Sequence, residues 1–170
     1  MAKQWVKVEF NKPGAVFLHP IHRLDRPALG VVVFARTSKA LSRLNIAMRE
    51  RLIKKHYRCV VDPSPAKKEA FLEHYLVHGD HKAFIHSSGK KATLFYKAQD
   101  NVVSVELFTG RYHQIRAQLA AIGSPIAGDA KYGSTAYWRE GIALIHTDIT
   151  FPHPITGASM TISSRQTLLH

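Results

Sequence analysis

The chain is poor in acids, holds one cysteine and lacks any long apolar run. Its 170 residues include 12 Asp and Glu against 24 Lys and Arg, a formal net charge of +12. The one thiol, Cys59, excludes an internal disulfide, and its apolar neighbours predict a buried free thiol in a reducing compartment. No stretch is long enough to cross a bilayer, and the N-terminus lacks the apolar core of a signal peptide. We therefore expect a cytoplasmic protein.

Several enzyme motifs are also missing from the sequence. It contains no Walker loop, no dinucleotide-binding glycine fingerprint and no Gly-x-Ser-x-Gly run. Two histidine pairs have a spacing of three residues: His19 with His22, and His78 with His81. Neither pair is accompanied by the set of cysteine or carboxylate ligands that a zinc site usually shows. We expect no catalytic metal. The excess of positive charge predicts an acidic partner, with nucleic acid favoured over an anionic membrane.

The apolar pattern predicts a mixed α+β fold with more strand than helix and a mainly antiparallel sheet. One amphipathic helix is expected to start at Thr37 or Ser38, and a second follows Gly110 and ends at Gly123. The apolar stripe of the first helix consists of Leu41, Leu44, Met48 and Leu52. Six segments predict strands, the third and fourth forming a hairpin: residues 29–35, 56–61, 92–97, 102–108, 142–145 and 160–162.

One aspartate lies between two arginines in the run His22-Arg23-Leu24-Asp25-Arg26. Neighbouring guanidinium groups favour the ionised carboxylate, and they also attract phosphate. The run therefore suits a catalytic carboxylate at a place where a polyanion docks. A surface ion pair in a basic protein is the alternative, and the run alone does not decide between them.

A second basic run, Thr109-Gly110-Arg111-Tyr112-His113-Gln114-Ile115-Arg116, lies where a strand becomes a helix. Backbone N–H groups at a helix start suit anions. Because Arg116 follows Arg111 by five positions, the two do not share a helical edge, so one can face phosphate while the other turns toward a buried carboxylate. Tyr57, in Lys55-His56-Tyr57, is either a base-stacking ring or an ordinary half-buried strand tyrosine.

Taken together, these runs resemble the RluA-type pseudouridine synthases. The matching pieces occur in the family's order along nearly the whole chain, and the aspartate run and the Gly-Arg-x-His-Gln-Ile-Arg run are the most specific. The other pieces are Asn11-Lys12-Pro13-Gly14, Gly30, Lys55-His56-Tyr57, Pro125-Ile126-Ala127-Gly128-Asp129, Tyr132-Gly133 and Phe151-Pro152-His153-Pro154.

The resemblance implies isomerisation of specific uridines to pseudouridine in structured RNA, either ribosomal or transfer RNA, without cofactor or metal. It also implies a largely antiparallel central sheet with flanking helices and a central active-site cleft. Carried onto this sequence, Asp25 is the catalytic carboxylate, Tyr57 stacks on the target base and helps in a proton transfer, and Arg116 pairs with Asp25. The RNA-binding set is Arg23, which enters the RNA, with Arg26, Arg111, His113 and Gln114, and an apolar wall of the base pocket comes from Leu144 or Ile145.

Two departures from the family pattern shape the expected domain organisation. The aspartate run continues Pro27-Ala28-Leu29-Gly30 where the family usually has Thr-Ser-Gly, and only residues 15–21 separate it from the Lys-Pro-x-Gly piece. We expect residues 1–170 to form a single minimal catalytic domain, monomeric and without an N-terminal RNA-binding appendage. The alternative functions are a non-catalytic RNA-binding module on the same scaffold and, less favoured, a membrane-surface protein.

Overall fold

The computed structural model describes residues 2–168. The chain is mixed α+β with a large, mostly antiparallel sheet, as the apolar pattern predicts. Among the described residues, no helix is long and apolar enough to span a membrane. The helices are α1 Ala2–Glu9, α2 Ser38–Arg49 and α3 Gln114–Ala121, and the strands are β1 His19–Pro20, β2 Leu29–Gly30, β3 Phe34–Ala35, β4 Lys54–Val60, β5 Glu69–His78, β6 Ala83–Ile85, β7 Lys90–Gln99, β8 Val102–Leu107, β9 Leu144–Pro152 and β10 Ser159–Ser163.

The described chain groups into two compact units. The first comprises residues 2–23, 32–53 and 150–161, and the second comprises residues 24–31, 54–149 and 162–168. In the first unit, β1 pairs antiparallel with β3, and Thr37 caps α2 by accepting a hydrogen bond from the amide of Ala40 at 3.1 Å. Its buried apolar residues are Val6, Leu18, Ile21, Val33, Ala35, Leu44, Ala47, Ile53 and Phe151.

The larger sheet has the strand order β10-β9-β4-β8-β7-β5-β6, with β2 pairing parallel to β9, and strands β2 and β4 to β8 lie in the second unit. The β7–β8 hairpin forms where the sequence predicts it, and Asp100 in its turn takes a left-handed φ of 54°, which aspartate tolerates. Strand β4 lies in the middle of the sheet, and Cys59 on it is fully buried, as expected. Side chains of β4, β8 and α3 share the main core of this unit, which includes Val105 and Leu119.

The segment 29–35 was expected to be one buried strand, and this prediction is wrong. The structure has two short strands, β2 and β3, that belong to different ladders. Gly30 has a φ of 118°, so the backbone does not stay extended through the run. A Cβ on Gly30 would collide with the backbone carbonyl of His146, so only glycine allows β2 to lie this close to β9.

The α2 stripe is confirmed only in part. Leu44 is buried, but Leu52 lies beyond the end of the helix and is 54% exposed. Arg51, with a φ of 59°, turns the chain out of the helix before Leu52. The end of α3 agrees with the prediction, since Gly123 has a φ of 79° and its amide donates to the carbonyl of Ala120.

Candidate active site

Asp25 lies in a tight turn in front of β2, within the second unit. The amide of Ala28 donates to the carbonyl of Asp25 at 2.9 Å, and the preceding residue, Leu24, packs against the core. The amide of Ile142 donates to the carbonyl of Pro27 at 3.2 Å. These contacts anchor the turn on both sides and hold the carboxylate of Asp25 in a defined place.

Arg116, on the first turn of α3, reaches this carboxylate. Its Nη1 lies 3.4 Å from Oδ2 of Asp25, although the two residues are 91 positions apart in the sequence. The side chain of Arg116 is only 4% exposed, whereas that of Asp25 is 20% exposed. The arginine is thus an internal group, and the aspartate is partly open to solvent.

A second carboxylate, Asp129, holds the same guanidinium from the other side. Nε and Nη2 of Arg116 donate to Oδ2 and Oδ1 of Asp129 at 2.7 and 2.8 Å, which is the two-pronged geometry of a strong arginine–carboxylate pair. Burial alone would lower the pKa of Arg116, but the hydrogen bonds and charge of Asp129, with the charge of Asp25, raise it on balance. One arginine therefore serves two carboxylates, which we call the Asp25–Arg116–Asp129 cluster.

The loop that carries Asp129 is shaped by glycine. Gly128 has a φ of 81°, and a Cβ there would lie 2.7 Å from Cβ of Trp138 and 2.9 Å from the carbonyl oxygen of Gly141. In the sequence, Asp129 ends one of the pieces that match the family, but the resemblance assigns it no role. One sequence signal could have pointed to Asp129. It is an acid in a chain with few acids, and it directly follows a glycine and an apolar stretch.

His113 and Tyr132 border the cluster. His113 has a left-handed φ of 49°, its Nε2 lies 4.0 Å from Oδ2 of Asp25, and its Nδ1 lies 3.0 Å from the hydroxyl of Tyr132. That hydroxyl accepts from the amide of Ala83 and donates to its carbonyl. Burial is the main cause that lowers the pKa of His113, and the charge of Asp25 opposes it. His113 is therefore mainly neutral at pH 7, and Arg116 is the charged neighbour of Asp25.

Tyr57 lies on β4 and stacks on His146 of β9. The ring centroids are 4.4 Å apart with 19° between the planes, and the two side chains are 8% and 0% exposed. Nδ1 of His146 lies 2.7 Å from the carbonyl oxygen of Val31, so this nitrogen carries the proton. Burial and the charge of Asp25 both raise the pKa of the Tyr57 hydroxyl. Tyr57 is therefore a neutral phenol with one ring face covered by His146, a contact the sequence reasoning missed.

The two candidates for the apolar wall are distinguished by strand geometry. Successive residues of a strand point to opposite faces, so Leu144 shares a face of β9 with His146, and Ile145 points the other way. Leu144 belongs to the same buried cluster as Tyr57. The structure therefore brings Leu144, not Ile145, to the Tyr57 side of the sheet.

The residues expected to contact RNA divide into exposed and buried ones. Arg23, Arg26 and Arg111 are exposed, and Nε of Arg111 donates to the carbonyl of Lys91 at 2.9 Å. His113 is 7% exposed and Gln114 is 3% exposed.

Gln114 has a different role from the expected one. Its Oε1 accepts from the hydroxyl of Thr109 and the amide of Arg111, and its Nε2 donates to the carbonyl of Thr93 and to Gln118. These hydrogen bonds hold the start of α3 in place. They use both ends of the Gln114 amide inside the protein, so its side chain is not exposed for contact with RNA.

A cleft of about 450 Å³ opens on the sheet, and Tyr57 is among its lining residues. Neither Asp25 nor Arg116 lines it. Among residues 2–168, no group of three or more His, Cys, Asp or Glu side chains is arranged to hold a metal ion. The cleft is lined by His56, Tyr57, Arg58, Phe95, Lys97, Ser104, Val105, Glu106, Thr147 and Asp148.

Comparison with known proteins identifies the family. The model of the RNA pseudouridylate synthase family matches residues 2–121. The chain is 35% identical over 156 residues to the dual-specificity RNA pseudouridine synthase RluA of Escherichia coli (strain K12), covering 85% of this chain and 71% of that protein. It is 32% identical over 169 residues to the ribosomal large subunit pseudouridine synthase C of Buchnera aphidicola subsp. Schizaphis graminum (strain Sg), covering 89% of this chain.

The chain spans 54% of the length of the Buchnera protein, about half. Among solved structures, human RNA pseudouridylate synthase domain containing 4 superposes with a TM-score of 0.81 at 18% identity, covering 97% of this chain and 77% of that one. At that identity the likeness shows the fold alone. The family match and the relatives together establish the family: the chain belongs to the RluA-type RNA pseudouridine synthases.

Proposed function

We propose that the chain isomerises uridine to pseudouridine in RNA, with Asp25 as the catalytic carboxylate. The observation that carries the proposal is the Asp25–Arg116–Asp129 cluster, in which a buried arginine fastened by Asp129 is aimed at Asp25. The side chain of Asp129 is 1% exposed and that of Asp25 is 20% exposed. Asp25 is therefore the carboxylate that a substrate can reach.

The reaction breaks the bond from N1 of uracil to C1′ of ribose and forms a bond from C5 to C1′. The proton on C5 is lost and N1 gains one, so the composition of the nucleotide does not change. A carboxylate can attack the nucleoside or remove a ribose proton, and both routes begin at the carboxylate of Asp25. The positive charge of Arg116 stabilises that carboxylate and holds it in one orientation.

Tyr57 is the proposed partner of the target base. Because His146 covers one face of its ring, the base stacks on the other face, with Leu144 as an apolar wall. A phenol whose pKa is raised stays protonated, so Tyr57 enters a proton transfer as a neutral phenol rather than as a phenolate base. These assignments agree with the roles that the family resemblance implies for the two residues.

The uridine must leave its stack to reach Asp25, which costs a few kcal/mol. Arg23 is proposed to enter the RNA in its place, with Arg26 and Arg111 contacting the backbone. Residues 2–23, 32–53 and 150–161 of the first unit contain nine Lys and Arg but only two acids, a balance that attracts a polyanion.

The name of the Buchnera relative points to ribosomal RNA as the substrate, and the family resemblance adds transfer RNA as the other candidate. The proposal takes the protein as a cytoplasmic monomer and assigns no step to a metal or a cofactor.

The test is Asp25→Asn, which keeps the size of the side chain and removes its charge. We expect the variant to fold and bind RNA while forming no pseudouridine, as mapped across cellular RNAs with and without the protein. Asp100→Asn, an exposed acid in the β7–β8 turn, is the matched control and should keep full activity. Full activity of Asp25→Asn would refute the assignment, and wild-type protein that binds RNA but yields no pseudouridine would make it a binding module.

A further inference from the structure

Lys55 is a buried cation that the proposed chemistry does not use. It lies on β4 two residues before Tyr57, so both side chains leave the same face of the strand, about 6.6 Å apart along it. Lys55 is 8% exposed, whereas its neighbour Lys54 is exposed. The ammonium therefore lies on the Tyr57 side of the sheet.

Nothing in the described part of the chain neutralises this ammonium. Within residues 2–168, Nζ of Lys55 forms no ion pair and no hydrogen bond, whereas the other buried cation, Arg116, has two carboxylates. An unpaired charge that is buried lowers the free energy of unfolding. In agreement with this, burial lowers the pKa of Lys55. Lys55 thus combines a buried side chain with an ammonium that has no counter-charge, an arrangement that favours a negatively charged ligand.

Gly110 shows how a ligand can reach the ammonium. A Cβ built on Gly110 would lie 3.3 Å from Nζ of Lys55, and Gly110 itself is exposed. Its φ is outside the left-handed range, so the backbone does not demand glycine here. The missing side chain leaves an open approach from solvent to Nζ, at the start of the basic run that ends at Arg116.

We propose that Lys55 binds a phosphate group of the RNA backbone next to the target uridine. The proposal rests on the proposed function, because it takes RNA as the substrate. Phosphate is the anion that every nucleotide supplies, and an ammonium binds it as a point charge without a fixed fork geometry. Binding supplies the missing counter-charge, so the energetic cost of the unpaired ammonium is removed when RNA is bound.

The test is Lys55→Met, with Lys54→Met on the same strand as the matched control. A phosphate contact away from the reacting atoms contributes equally to substrate and transition state, so Lys55→Met should raise KM about tenfold and leave kcat within about twofold. The slope of log affinity for a labelled RNA hairpin against log salt should fall by about 0.7. The melting temperature should stay level or rise, because an unpaired buried charge is removed. Lys54→Met should match the wild type in all three measurements.

A second variant, Gly110→Ala, tests the same contact from the other side. The added methyl crowds the ammonium, so KM should rise with Lys55 present but not rise further in the Lys55→Met background, because the shorter Met ends before that point. A Lys55→Met protein with unchanged KM and salt slope would overturn the proposal, and so would one with a lower melting temperature, which would indicate a structural lysine. If wild-type protein forms no pseudouridine in any RNA, the proposed function fails, whereas loss of the salt-slope difference alone refutes only the Lys55 contact.

Discussion

Asp129→Asn is the most informative perturbation of the site. Asp129 is 1% exposed and makes both of its side-chain bonds to Arg116, at 2.7 and 2.8 Å. Removing one member of a buried ion pair leaves the other charge uncompensated, which costs about 3–5 kcal/mol. Because the amide oxygen of asparagine still accepts one of the two bonds, we expect the lower end, about 3 kcal/mol.

For a chain of this size, a loss of about 3 kcal/mol corresponds to a fall in melting temperature of about 6–12 °C. Activity should also fall, because Asp129 no longer fastens Arg116 and the guanidinium can move relative to Asp25. Misplacement of a catalytic group by about 1 Å can cost roughly a hundredfold in rate, so we expect kcat to fall by about 10- to 100-fold. Thermal unfolding followed by circular dichroism and the rate of pseudouridine formation measure the two effects, with Asp100→Asn as the control.

The double variant Arg116→Met with Asp129→Leu separates stability from function. Replacing a buried ion pair by apolar residues of similar volume is often neutral, so its melting temperature should return toward the wild-type value. Its activity should stay lost, because Asp25 then has no aimed cation. Two results would refute the reasoning: a loss of stability under about 1 kcal/mol in Asp129→Asn, or full activity in the destabilised protein.

Two further outcomes follow from the geometry. Tyr57→Phe keeps the stack on His146 but removes the hydroxyl, so the melting temperature should hold while the single-turnover rate drops; an unchanged rate would exclude the hydroxyl from proton transfer. The pKa of His113 is lowered from its ordinary 6.5, mainly by burial, so its neutral form stabilises the fold above pH 6.5 and this contribution is lost as the pH falls further. In urea unfolding below pH 6.5, His113→Gln should therefore lose stability less steeply than the wild type, and parallel pH curves would contradict this.

The elements with local signals were predictable from the sequence. Helix α2 begins after Thr37 because a threonine side chain caps its first amides, and α3 ends at Gly123 because glycine takes the left-handed conformation there. The β7–β8 hairpin has strand residues on both sides of a polar turn. Each of these signals depends on a few neighbouring residues, so it can be recognised in the sequence without knowledge of the fold.

The segments that depend on distant partners were not predictable in the same way. The apolar run 29–35 looks like one strand, but where it breaks is decided by the approach of Gly30 to the backbone of His146. Residues 66–91 have no clear period, yet β5 and β6 form there because β5 pairs with β7 along its length. A ladder partner chosen at long range stabilises these strands more than their own composition does.

The residues of the candidate active site also divide into those that a local pattern predicts and those that depend on distant partners. The aspartate run and the Thr109–Arg116 run can be recognised in the sequence because each places several charged residues within a few positions. Asp129, His146 and Lys55 carry no such pattern, because their importance comes from what they face across the sheet and the helix. Successive side chains of β9 point to opposite faces, so Leu144 and Ile145 lie on different sides of the sheet. Only the position of Tyr57 shows which of the two faces borders the site.

The sequence by itself determined the family resemblance, the excess of positive charge and Asp25 as the candidate carboxylate, because these lie in composition and in short runs of residues. The resemblance also paired Arg116 with Asp25, but only the tertiary structure decided how close the two lie, that a second carboxylate fastens Arg116, and that Lys55 is buried without a partner. The physical reason is that ion pairing and desolvation depend on distance and burial in space, and Arg116 is brought to Asp25 across 91 positions of chain.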